Sequence, residues 1–100
     1  MKEDVFNQYV EKVMDIFNIS KKELFSKSKK RHIVDARQML YYLCHTRPMK
    51  YIIIQKYMMD NKYKIAHNSI INGVKVVEGR IKEDKDYQYI LKEIEKSVFI

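Results

Sequence analysis

The sequence predicts an all-α fold, a compact domain of five to six helices, on three observations. Two glycines and one proline in 100 residues leave too little punctuation for the hairpins of a sandwich or barrel. Apolar residues recur at three- and four-residue spacing through most of the chain, the period of a half-buried helix. The one strand-like run, Tyr51-Ile52-Ile53-Ile54, has no partner run elsewhere. The length allows one domain and one core. Residues 1–100 are therefore expected to form a single domain, with an N-terminal amphipathic helix over residues 1–18 and the remaining module over 19–100.

Each element has its own warrant. Val5, Phe6, Tyr9, Val10, Val13, Met14 and Phe17 form one apolar stripe, a helix over residues 3–18. Ser20 and Glu23 have capping-box spacing and open a short second helix carrying Leu24 and Phe25. Ser26-Lys27-Ser28-Lys29-Lys30-Arg31-His32 is polar and basic, an exposed loop. Asp35 and Gln38 repeat the capping spacing before a third helix whose apolar face is Ala36, Met39, Leu40, Leu43 and Cys44. Pro48 stops it by Thr46 or Arg47. Four β-branched or aromatic residues at 51–54 suit a strand, but Met49, Ile53, Lys56 and Tyr57 fit a helix, and a helix is expected over 49–59. Asp60-Asn61-Lys62 marks a turn. A long helix follows from His67 with Ile70, Ile71, Val74, Val77 and Ile81 inward. Its Gly73 and Gly79 either weaken it, by about 1 kcal/mol each relative to Ala, or mark close packing. A last helix runs from Asp86, with Tyr87, Ile90, Leu91, Ile94 and Val98 inward.

Composition narrows the function classes. A hydrophobic fraction of 46% is ample for a packed core, which argues against disorder. A single cysteine, Cys44, forms no internal disulfide and fits a reducing compartment. No apolar run approaches a membrane span, and Met1-Lys2-Glu3-Asp4 has acids where a secretory signal needs bases. The expectation is a soluble, cytoplasmic protein without a membrane partner. The net charge of +7 is unevenly placed. Residues 19–77 hold thirteen Lys or Arg and three acids, whereas residues 1–18 and 78–100 are slightly acidic. A basic block between near-neutral helices points to a polyanion-facing surface, or to a solvated basic face.

Catalytic chemistry finds little footing. There is no Gly-rich phosphate loop and no paired cysteine, and the three histidines are too scattered for a zinc site. No cofactor, metal or catalytic residue is expected, and the chain does not read as an enzyme. Cys44 beside His45 suggests a thiol–imidazole pair. Neighbouring helical residues point about 100° apart, however, and Cys44 falls on the apolar face as a core residue. Tyr41, Tyr42, Tyr51 and Tyr57 have the chemistry to stack single-stranded bases, but their helical spacing makes them core and boundary residues.

The informative segment is the helix pair around 49–58 and 67–82. A shorter helix, a turn, and a longer helix opening on small polar residues is the order of a helix-turn-helix, whose second helix enters the major groove. His67, Asn68 and Ser69 can hydrogen-bond base edges there, Asn68 bidentately to adenine. Alternatively, Asn68 or Ser69 is only a helix cap.

Taken together, Lys29 to Gln38, Met39 to Leu43, Ile54-Gln55-Lys56-Tyr57 and His67-Asn68-Ser69-Ile70 resemble the C-terminal duplex-binding domain of the bacterial replication initiator DnaA. Ile19-Ser20-Lys21-Lys22-Glu23-Leu24 is similar to the segment before that family's basic loop. The resemblance spans roughly residues 10–97. It implies that Arg37 inserts into the minor groove, and that His67, Asn68 and Ser69 occupy the last three polar positions of the family's Asp-His-Thr-Thr-Val signature. It also implies that Ile71 meets thymine methyls and that Lys29, Lys30 and Arg31 lie near phosphates. Lys27, Lys50, Lys62 and Lys64 join them as candidate backbone contacts.

The departures from the family are specific. Ala66 stands where the signature has Asp, Ala36 where a Pro precedes the arginine, and Met59 to Ile65 make a turn about four residues longer. No ATPase part precedes the module in this sequence. The expectation is a duplex-binding regulatory or accessory factor of replication or transcription, nucleoid-associated in a bacterial host. A phage or mobile-element origin, with replication or phage proteins as further partners, fits such a free-standing copy. The alternative is a helical protein-interaction module, an inhibitor or virion component, that kept the fold and lost the DNA target.

Overall fold

The packing is organised around one central helix. The computed structural model describes residues 2–97, which form six helices and no strand. These are α1 (Lys2–Phe17), α2 (Lys21–Leu24), α3 (Arg31–His45), α4 (Tyr51–Asp60), α5 (His67–Glu83) and α6 (Lys85–Ser97). The all-α expectation holds, with Tyr51 to Ile54 in a helix. Helix α3 is buried on most of its circumference, through Ile33, Ala36, Arg37, Met39, Leu40, Tyr41, Leu43 and Cys44. A helix buried this widely must be covered on several sides. Helices α1, α2, α4 and α5 all pack on α3, while α6 rests on α5 and α1.

The α1 stripe is buried as its spacing requires, through Val5, Phe6, Tyr9, Val10 and Val13, with Met14 and Phe17 half-covered. At α2 the capping box forms in both directions. The Glu23 amide donates to Ser20 Oγ at 3.1 Å and the Ser20 amide donates to Glu23 Oε1 at 2.9 Å. The Ser20 amide holds the Glu23 carboxyl below the usual carboxylate range.

Three sequence expectations need correction. Helix α3 begins at Arg31, a full turn before Asp35, and its N-cap Lys30 makes no side-chain cap. Burial of Ile33 at 2% exposure draws that extra turn into the helix. Asp35 is no cap. It accepts from Arg80 Nη1 at 2.9 Å, and the same nitrogen donates to the Tyr87 hydroxyl at 2.8 Å, tying α3, α5 and α6 together. On α4 the buried residues are Ile54 and Met58; Ile53 and Tyr57 are half-covered and Lys56 is exposed. Met59 and Asp60 belong to α4 rather than to the turn, which is left with residues 61–66.

The two α5 glycines divide. A Cβ on Gly73 would lie 3.0 Å from Tyr41 Cδ2 and 3.2 Å from Gln38 Cγ, so Gly73 is where α5 crosses α3 closely. A Cβ on Gly79 would meet nothing within 4 Å. Ile70, Val74 and Val77 are buried, and Ile71 and Ile81 half-buried. On α6, Ile94 is buried and Tyr87, Ile90 and Leu91 pack partly against the core; Val98 lies outside the described residues.

Cys44 is fully buried, and burial pushes its thiol well above the ordinary range, the opposite of an activated nucleophile. Of the tyrosines considered for base stacking, Tyr41 is buried and Tyr42, Tyr51 and Tyr57 pack against the core. No helix among the described residues is long and apolar enough to cross a membrane.

Candidate nucleic-acid interface

Helix α4, residues 61–66 and helix α5 form a helix-turn-helix, and α3 fixes where its second helix points. The inward anchors Ile70, Val74 and Val77 and the close crossing at Gly73 hold α5 on α3. Its first turn is then left free, with Ala66, His67, Asn68 and Ser69 all exposed. Ala66 is the N-cap residue and provides no side-chain cap. Neither Asn68 nor Ser69 is spent as a cap, so the alternative reading of those two residues is not what the fold uses. The start of α5 is steadied instead by stacked rings. His67 meets Tyr51 edge-on at 5.6 Å, and Tyr51 stacks on His45 at 4.5 Å with its hydroxyl 3.3 Å from His45 Nε2.

The turn is longer than the three to four residues usual in this motif, and side chains from elsewhere pin it down. Asn61 donates to the Tyr57 carbonyl at 2.8 Å, and Lys62 takes a left-handed φ of 63°. Gln55 donates to the Ile65 carbonyl at 2.9 Å. Tyr63 turns inward to 6% exposure and accepts from Arg37 Nη1 at 2.8 Å. Lys27 donates to the Lys64 carbonyl and sits 3.9 Å from the centre of the Tyr63 ring.

The basic loop owes its shape to its serines. The Ser28 amide donates to Ser26 Oγ, and the Lys30 amide donates to Ser28 Oγ, both at 3.2 Å. These local turns leave Lys27, Lys29 and Lys30 exposed. Between the loop and the first turn of α5 lies a groove of about 590 Å³. Lys27, Lys29 and Lys64 line its sides and Arg37 its base. Asn68, Ser69 and Asn72 face it from α5, and no carboxylate lines it among the described residues. Among the described residues no cluster of His, Cys, Asp or Glu is placed to hold a metal.

The residues expected at the interface are thus partly brought together. Arg37, Lys27, Lys29, Lys64, Asn68 and Ser69 share the groove. Arg31 is exposed at the start of α3, Lys50 at the N-cap of α4 and Lys62 in the turn, all outside the groove lining. His67 is exposed and Ile71 half-buried, and neither is among the groove's lining residues. Arg37 is only 8% exposed, its guanidinium held by the Tyr63 hydroxyl and the Ser28 carbonyl. Sequence reasoning missed Tyr63, Ser28, Gln55 and Asn72. Asn72 was findable, since it follows Asn68 by one helical turn. Tyr63, an aromatic amid Asn61, Lys62 and Lys64, was the visible oddity in a supposed surface turn.

Comparison with known proteins agrees with a helix-turn-helix fold. The family described as the bacterial dnaA protein helix-turn-helix matches residues 7–75. The chromosomal replication initiator protein DnaA of Spiroplasma citri is 29% identical over 89 residues, covering 86% of this chain and 18% of that protein. The chain thus spans less than a fifth of that relative's length. No solved structure matches significantly. With most of α1, all of α2 to α4 and the first half of α5 inside the matched span, the chain belongs to the bacterial DnaA helix-turn-helix family.

Proposed function

We propose that this chain binds double-stranded DNA with the first turn of α5 in the major groove and the basic loop on the phosphate backbone beside it. One observation carries the reading: a carboxylate-free groove joins the lysines of the loop to the polar, uncapped start of the recognition helix. Family membership supports it, since a helix-turn-helix of this family implies duplex binding. An α-helix fits the width of the major groove, and short polar side chains at its N-terminus reach base edges. His67, Asn68 and Ser69 are assigned that role, with Ile71 behind them toward thymine methyls. Lys27, Lys29, Lys30, Arg31, Lys50, Lys62 and Lys64 are assigned to phosphates. Arg37 can read a minor groove only by leaving Tyr63 and Ser28.

A second reading, docking of another protein, is favoured by one feature. Ile52 and Met59 are 61% and 49% exposed, and they lie two turns apart on one face of α4. Anisotropy titrations on random and AT-rich duplexes at two salt concentrations separate the readings. Contact with about five phosphates gives a log–log salt slope near −4 to −5. Absence of duplex binding at low salt would refute the first reading. A selection from a randomised duplex pool then tests Asn68→Ala. Its motif should flatten by about 1–3 kcal/mol at one position, with non-specific binding nearly unchanged.

A further inference from the structure

Arg37 is a buried cation without an anion. Its terminal nitrogens donate to two neutral oxygens, the Tyr63 hydroxyl and the Ser28 carbonyl, and its Nε has no partner. No carboxylate is within ion-pair range of it among the described residues. A guanidinium taken out of water is costly unless an opposite charge compensates it, and here the neighbours Lys27, Lys29 and Lys64 add repulsion. Tyr41, which lines the same groove at 3% exposure, also has a hydroxyl without a hydrogen-bond partner. Burial raises its pKa, so it keeps the proton it could donate. The third contribution is the start of α5. Ala66 cannot cap, so the first amides of a 17-residue helix face the groove with no side-chain acceptor. Such amides, with the helix dipole behind them, attract anions.

Buried Arg, orphaned Tyr and uncapped helix end all lack the same thing. We propose that the groove is a phosphoryl-anion site, filled by a backbone phosphate of the bound duplex, which neutralises Arg37 in its buried position. The anion chemistry stands on the groove alone; its occupant rests on the duplex reading. Size favours the strand over a free ion. At about 590 Å³ the groove is far larger than the ~10–15 Å³ that holds one water on the same measure, so it has room for a phosphate with its flanking sugars. The same geometry gives the alanine at 66 a meaning: a carboxylate there would cap α5 and occupy the place of the anion.

The test has two arms, run on the full chain for wild type, Arg37→Gln and Ala66→Asp. The first titrates inorganic phosphate against chloride at constant ionic strength and follows the His67 and Asn68 amides and the Arg37 Nε–H by NMR. The second scans a bound duplex with single neutral methylphosphonates. Phosphate should shift those signals in wild type and not in either variant. One methylphosphonate position should weaken wild-type binding about tenfold, as loss of a hydrogen bond to a charged group does. Both variants should be insensitive at that position. Ala66→Asp changes an exposed residue, so the test survives if Arg37→Gln fails to fold. Phosphate shifts with no sensitive backbone position would support the anion site and assign it to the free ion. The same shifts in a chain that binds no duplex would support the site while refuting the duplex reading. No shift together with no sensitive position would overturn the proposal. So would an Arg37→Gln variant that loses AT preference and keeps the wild-type methylphosphonate profile, because Arg37 would then have left the groove for a base edge.

Discussion

Replacing each α5 glycine by alanine should have unequal effects on stability. Alanine in a helix interior is favoured over glycine by about 1 kcal/mol, and at Gly79 nothing within 4 Å opposes it. Gly79→Ala should therefore stabilise by close to that amount. At Gly73 the new methyl would sit 3.0 Å from Tyr41 Cδ2 and 3.2 Å from Gln38 Cγ. Gln38 is a flexible side chain and can give way. The Tyr41 ring, 3% exposed, is wedged between helices and cannot. Overpacking of this kind costs about 1–3 kcal/mol, so Gly73→Ala should range from neutral to about 2 kcal/mol less stable than wild type. For a domain of this size each kcal/mol shifts Tm by about 4–8 °C. Urea and thermal unfolding of the two variants should then differ by that overpacking cost. Because Tyr41 and Gln38 also line the groove, Gly73→Ala should weaken duplex binding and Gly79→Ala should not. Equal stabilisation by both substitutions would refute the close crossing of α5 on α3.

Three further outcomes are expected. Lys29→Ala should weaken all duplexes alike and lower the salt slope by about one unit, as loss of one phosphate contact does; a change in sequence preference instead would place Lys29 at a base. Cys44 has a raised pKa in the fold, so above about pH 8.5 the unfolded thiol loses a proton that the folded one keeps. Stability should then fall with rising pH by up to about 1.4 kcal/mol per unit. In urea unfolding, Cys44→Ala should remove that slope between about pH 8.5 and 10, below the range where unfolded tyrosines titrate, while leaving duplex binding intact. The Asp35–Arg80 pair, 2.9 Å apart and largely covered, should show a coupling of about 1 kcal/mol in a double-mutant cycle on unfolding. A coupling near zero would mean that the pair adds nothing to the apolar packing of α5 on α3.

What the sequence could reveal depended on range. The capping box at Ser20 and Glu23 is a contact between residues three apart, and its chemistry is readable in order along the chain. The apolar stripe of α1 is likewise local, and every residue buried on α1 was in it. The start of α3 was misplaced because Asp35 and Gln38 mimic a cap. The deciding fact, the burial of Ile33, is a property of the assembled core. At the candidate interface, the exposed polar residues at the start of α5 were legible from their type and position. The position of Arg37 was not. It depends on Tyr63, 26 residues away, turning inward from a segment whose composition reads as surface.

Lys27, Lys29, Arg37 and Lys64 converge on the groove with no carboxylate among its described lining residues, whereas α1 carries four acids against two lysines. The groove is therefore a patch of concentrated positive charge on a protein whose net charge is +7. A polyanion exerts a torque on such a body before contact and turns the right face toward itself. Encounters that would fail in a uniformly charged protein then become productive, and electrostatic steering of this kind raises association rates by about 10–10³-fold at low salt. Charges outside the groove thus bear on how fast a complex forms, while the side chains in the groove decide how long it lasts.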